Sequence, residues 1–147
     1  MSFIEANRRS SSRQKLSVKK YNDLTGYDST AAFIVTGDVW VKVTGVVGDV
    51  AITSTSGTTV LSLGTAGAVQ SIIANSTVDN AQFATSDVWV DSAPTVNSKR
   101  GDSNWVMIGT GANIFLTRSV DDITGGKLVL YCEWVKASTD ARVVPTA

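Results

Sequence analysis

The sequence predicts an all-β chain: an antiparallel β-sandwich, jelly-roll-like, with an extended basic arm at its start. Three observations lead there. Val, Ile and Thr supply 45 of the 147 residues, and these branched side chains, stiff at the first torsion, fit a pleated sheet better than a helix. From Ala31 onward, short runs with an apolar residue at every second position are separated by Gly, Asp, Asn and Ser, the pattern of a sandwich or barrel. The first twenty residues carry six basic side chains and one acid, and the other 127 carry seven and twelve. A segment of net charge +5 therefore precedes a remainder of net −5, and arms of this kind contact something other than their own domain.

In chain order, residues 1–20 alternate basic side chains with Ser, Asn and Gln. Phe3, Ile4, Leu16 and Val18 are too sparse to define a helix or strand face, so the segment reads as an extended arm. Residues 21–30, with Tyr21, Leu24 and Tyr27, read as a joint. The arm and joint thus cover 1–30 and the β-sandwich body 31–147. In "DVWVKV", Val39, Val41 and Val43 share one face, and Trp40, Lys42 and Thr44 the other. "TTVLSLG" sets Leu61 and Leu63 opposite Val60, and "SDVWVDS" sets Val88 and Val90 opposite Trp89. "NIFLTR" pairs Ile114 with Leu116. "KLVLYCEWVK" gives the clearest alternation, with Leu128, Leu130, Cys132 and Trp134 on one face. Gly-containing turns fall at Gly37-Asp38, Gly48-Asp49, Ser56-Gly57, Gly64 to Gly67, Gly109 to Gly111 and Gly125-Gly126. Residues 66–75 fit either a short helix or a strand. The repeated tetrapeptide "DVWV" at 38–41 and 87–90 is too short to establish a duplication.

The residue inventory excludes several chemistries. With no histidine and a single cysteine, neither the usual zinc sites nor Ser-His-Asp and Cys-His arrangements can be assembled. Cys132, on an apolar strand face, reads as a buried core residue. Carboxylate pairs survive as glycosidase candidates. Asp121-Asp122 read better as part of a turn before "ITGG", and Asp87 and Asp91 flank a strand. "GTGANI" places Ile114 where a dinucleotide fingerprint needs glycine. Arg100-Gly101-Asp102 reads as a polar turn, and the sequon at Asn75 as chance. No cofactor is expected. No secretory signal and no apolar run of spanning length is visible, so the chain is expected to be soluble and without a membrane partner.

The candidate binding residues are those of the arm: Arg8, Arg9, Arg13, Lys15, Lys19 and Lys20. Nucleic acid is disfavoured as the partner. The arm offers only Phe3 for base stacking, with Tyr21 just beyond, and single-strand binders interleave aromatics with basic residues. An acidic protein surface fits better. Since exposed ion pairs contribute roughly 0–1 kcal/mol each, backbone pairing or several arms acting together would have to secure the attachment.

From Gly37 to about Asp140 the chain resembles the small β-sandwich decoration, or head-associated cement, proteins of tailed bacteriophages. The resemblance lies in the order of "GDVWVKVTGVV", "TTVLSLGTAG", "SIIA", "DVWVDSAPTV" and "ANIFLTRSVDDITGGKLVLYCEW". It implies a non-enzymatic virion part made in the host cytoplasm, a homotrimer seated on the capsid outer surface that reinforces contacts of the major capsid protein. The arm lies outside the resembling region, and its capsid-binding role is expected from charge alone. The alternative is a head- or tail-fibre module binding a host surface glycan through Trp40, Trp89, Trp105 or Tyr131.

Overall fold

A computed structural model describes residues 14–79, 82–96 and 105–147. The described residues form strands and turns, with no helix. The strands are β1 (Leu16–Asp23), β2 (Thr30–Thr36), β3 (Val39–Val47), β4 (Thr53–Ser54), β5 (Val60–Thr65), β6 (Ala68–Thr77), β7 (Val88–Trp89), β8 (Val106–Ile108), β9 (Ile114–Ser119), β10 (Ile123–Gly125), β11 (Lys127–Lys136) and β12 (Arg142–Pro145). One five-stranded sheet runs β1-β11-β3-β7, with β8 also pairing β3. A second runs β12-β2-β9-β5-β6, and β10 and β4 make a two-stranded ribbon. Every strand pairing is antiparallel.

The expected all-β antiparallel architecture is the observed one, and the two large sheets share one core in the manner of a sandwich. Val39, Val41 and Val43 of β3 and Leu128, Leu130 and Cys132 of β11 are buried in the same cluster as Phe33, Leu63, Leu116 and Val143 of the other sheet. The period-two pattern produces this directly, because alternate side chains of a strand point to one face. Segment 66–75 resolves as strand: only Ala66 and Gly67 form a turn, and β6 follows. Gly37, Gly57, Gly111 and Gly126 have positive φ, so the backbone at these turns takes a shape that side chains disfavour.

Strand pairing begins earlier than the sequence suggests. Residues 16–23, read above as arm and joint, are strand β1, in register with β11 from Leu16↔Trp134 to Asp23↔Lys127. The apolar signal is weak because β1 is an edge strand whose inward row ends in polar residues. That row is Leu16, Val18, Lys20 and Asn22, and its polar members find backbone partners. Lys20 Nζ donates to the main-chain oxygens of Thr146 and Ala147 at 2.8 and 2.9 Å. Asn22 Nδ2 donates to Leu128 O at 3.3 Å. Lys20 thereby ties the first sheet to the chain leaving β12 in the second.

Candidate interaction surface

The feature most open to a partner is the outward face of the sheet formed by β1, β11, β3 and β8. Register sets its rows. Lys19 of β1 stands beside Tyr131 of β11, which stands beside Thr44 of β3. Ser17, Glu133 and Lys42 form the next row. Val135, Trp40 and Met107 form the third, across β11, β3 and β8. Tyr21 and Val129 lie on the other side of the Lys19 row. Tyr21 is 65% exposed, Trp40 43%, Met107 46% and Tyr131 45%. Four large side chains exposed on one sheet face form a patch, whereas single exposed apolar residues are ordinary.

The face is also basic. Its outward positions hold Lys15, Lys19, Lys42 and Lys127 against Asp23 and Glu133. Lys15 Nζ pairs with Glu133 Oε2 at 3.5 Å, and Lys127 Nζ with Asp49 Oδ1 at 3.5 Å. Lys19 Nζ sits 5.1 Å from the Tyr21 ring centroid, within cation–π range, and the Tyr21 hydroxyl helps raise its pKa above the ordinary lysine value. Asp23 is held below the usual carboxylate range mainly by the Thr25 amide, which donates to Oδ1 at 3.0 Å. Lys19 and Lys42 form no ion pair among the described residues. The exposed charge of this face is therefore positive, although the chain beyond residue 20 carries net −5.

The basic residues named from sequence divide. Lys15 and Lys19 lie on this face; Lys20 turns to the opposite side and is engaged by main-chain oxygens. Arg8, Arg9 and Arg13 lie outside the described residues, as does Arg100-Gly101-Asp102. The aromatic candidates divide as well. Trp40 and Tyr131 are on the face, and Trp105, 37% exposed, precedes β8. Trp89 is fully buried, its Nε1 donating to Ser76 Oγ at 2.7 Å, so it cannot contact a glycan. Met107 is a member of the face that sequence reasoning missed, because β8 is only three residues long and offers no alternation to read.

The carboxylate candidates are committed to local structure. Asp87 Oδ2 accepts from the Ala84 amide at 3.0 Å, and Asp91 Oδ1 from the Ala93 amide at 2.8 Å. The Asp122 carboxylate pairs with Arg118 at 3.5 Å, and Asp121 beside it is fixed through its main-chain carbonyl, which accepts from the same guanidinium at 3.2 Å. Burial pushes the Cys132 thiol up to about 12, which keeps it protonated and unreactive at neutral pH. Among the described residues, no group of three or more His, Cys, Asp or Glu could hold a metal ion. A hollow of about 370 Å³ lined by residues 51–57, Val78, Asp79 and Ala84 is rich in hydroxyls. Several of these are bonded locally: Ser54 Oγ to Val78 O, Thr53 to Thr124, and Ser56 to Thr58.

Fold and surface together define a β-sandwich that presents a basic, aromatic sheet face. No family model and no curated protein matches the sequence. Among solved structures, the chain is similar to one from the acidic stable capsid structure of Helicobacter pylori bacteriophage KHP30. The TM-score is 0.55 at 13% identity, covering 91% of this chain and 99% of that one. It is also similar to a chain of the cyanophage Pam1 capsid asymmetric unit, with TM-score 0.53 and 14% identity, covering 84% and 85% of the two chains. At these identities the likeness is one of fold.

Proposed function

We propose that the chain is a non-enzymatic structural protein of a phage virion, one that decorates the capsid outer surface and reinforces it as a homotrimer after synthesis in the host cytoplasm. The observation that supports this most is the likeness of fold, over 84% and 91% of this chain, to chains of two phage capsids. The segment order noted in the sequence points the same way. In this reading the basic arm lies along acidic surface of the major capsid protein, with Arg8, Arg9, Arg13, Lys15 and Lys19 as its contacts. Lys20 is left to the sandwich, since its ammonium already serves two main-chain oxygens. Each exposed ion pair is weak, so repetition of arms around a trimer supplies the avidity.

The test is truncation. Deleting residues 2–13 leaves β1 intact, whereas a deletion through residue 20 would remove most of an edge strand and uncover β11. Shells assembled from the major capsid protein of the same genome should bind the full chain and lose the truncated one, with the melting temperature unchanged. Full occupancy by the truncated chain would refute the role of the arm.

A second reading, a fibre module that binds a host glycan, is favoured by the exposure of Trp40 and Tyr131 on one face. A glycan array read alongside Trp40→Ala separates it from the first.

A further inference from the structure

We infer that the outward β1–β11–β3–β8 face is a docking surface in its own right, fitted to a protein surface that is acidic around an apolar centre. The inference deepens the capsid reading and rests on it. It assigns the shell contact to the folded body as well as to the arm.

Three properties of the face carry it. First, its centre is apolar and broad: Trp40, Met107 and Tyr131 are exposed, and Val135 and Val129 fill the rows between them. Trp and Tyr are the side chains that most often anchor protein interfaces. Second, its charge is predominantly positive. Glu133 is engaged by Lys15 and Asp23 sits at the far end of β1 across from Lys127, while Lys19 and Lys42 flank the aromatic rows without an acidic partner among the described residues. A partner with carboxylates at those two points gains complementarity and steering. Third, β1 is the edge strand of this sheet, and its outward Lys19 and Tyr21 carry the basic and aromatic rows to the sheet margin.

The same properties disfavour other occupants. Three strands of about 25 Å at about 4.8 Å spacing, with the three-residue β8 beside them, offer about 400 Å². Two copies face to face would confine the lysines of both to that one small contact. A glycan platform needs hydrogen-bonding side chains beside its aromatic rings. Here Ser17 and Thr44 supply short hydroxyls, but Glu133 is held by Lys15, and Lys19 and Lys42, which have no ion pair among the described residues, suit an acidic protein better than a neutral glycan.

The test is co-sedimentation of full-length protein with shells of the major capsid protein from the same genome. It compares wild type, Trp40→Ala with Met107→Ala, and Lys19→Glu with Lys42→Glu, each checked for an unchanged melting temperature. All four positions are at least partly solvent-exposed, and the charge reversals remove no buried contact, so at least that variant keeps the fold. Either pair should weaken binding about tenfold or more. Wild-type binding that neither pair weakens would overturn the docking face and leave the capsid reading standing. Failure of the wild type to bind any shell would overturn both. A trimer or dimer of the free protein that Trp40→Ala dissolves in sedimentation velocity would give the face to copies of this chain instead. Glycan-array hits abolished by Trp40→Ala would likewise overturn the assignment.

Discussion

Gly45 of β3 lies directly across the ladder from Trp89 of β7, and a methyl group added at Gly45 would stand 3.0 Å from the indole ring and 3.3 Å from Leu128 Cδ1. The two copies of "DVWV" part company here. Their strands are neighbours in one sheet, but Trp40 points outward and Trp89 points into the core. The missing side chain at Gly45 makes room for the larger ring. Gly45→Val should overpack this site and cost about 1–3 kcal/mol, read as a lowered urea midpoint with an unchanged slope. Trp89→Phe should lose the bond to Ser76 and about 1 kcal/mol with it.

Gly37 and Gly26 have nearly the same backbone, φ +66° and +65°, in different surroundings. A Cβ at Gly26 would meet nothing within 4 Å, whereas one at Gly37 would press on Asp140 Oδ1 and Ser138 Oγ. Gly26→Ala should therefore cost only the left-handed penalty, about 1–2 kcal/mol. Gly37→Ala should cost more, because it also disturbs the bond from the Asp38 amide to Ser138 Oγ at 2.9 Å. Chemical denaturation of the two variants side by side checks the order.

Arg118 links β9 to the turn before β2. Nε donates to Tyr27 O at 3.1 Å and Nη1 to Asp121 O at 3.2 Å, while Asp28 and Asp122 pair with it at 3.4 and 3.5 Å. Both acids are largely exposed, so the ion pairs contribute little and are screened by salt. The charge-assisted bonds to carbonyls carry the effect. Arg118→Lys should lose about 1–3 kcal/mol, and most of that loss should persist in 1 M salt, a concentration that screens exposed pairs.

Stability should fall at alkaline pH through the buried Cys132 and the half-buried Tyr27. Burial raises the Cys132 pKa from 9.0 to about 12 and also raises that of Tyr27. Each neutral form is favoured in the folded state. The contribution of Cys132 is thus complete below pH 9 and is lost as pH rises from there toward 12. Cys132→Ala should flatten this part of the pH–stability curve at the cost of a small cavity. In the native protein, Cys132 should resist a thiol reagent at pH 8 and react on unfolding.

The sequence made most of the sandwich legible where a strand carries its own alternation. Val39, Val41 and Val43 in β3 and the buried row from Leu128 to Trp134 in β11 are the faces read from the pattern. Trp40, Lys42 and Thr44 took the other side, as expected. β1 escaped because its inward row includes Lys20 and Asn22, satisfied by backbone oxygens that only the fold brings near. The interaction face was half legible. Trp40 and Tyr131 were named as candidates, but Trp89 stood beside them, since nothing in "DVWV" says which face is buried. The register that places Lys19 beside Tyr131, and Met107 beside Trp40, joins residues more than sixty positions apart. No local pattern encodes it.

The central claim is that this chain is an outer part of a phage shell, and cryo-electron microscopy of virions from the encoding phage tests it most directly. The account predicts density for the sandwich on the capsid exterior, with Trp40 and Tyr131 turned toward the major capsid protein. Virions that lack the chain, or density with that face directed to solvent and no shell contact by the arm, would contradict it.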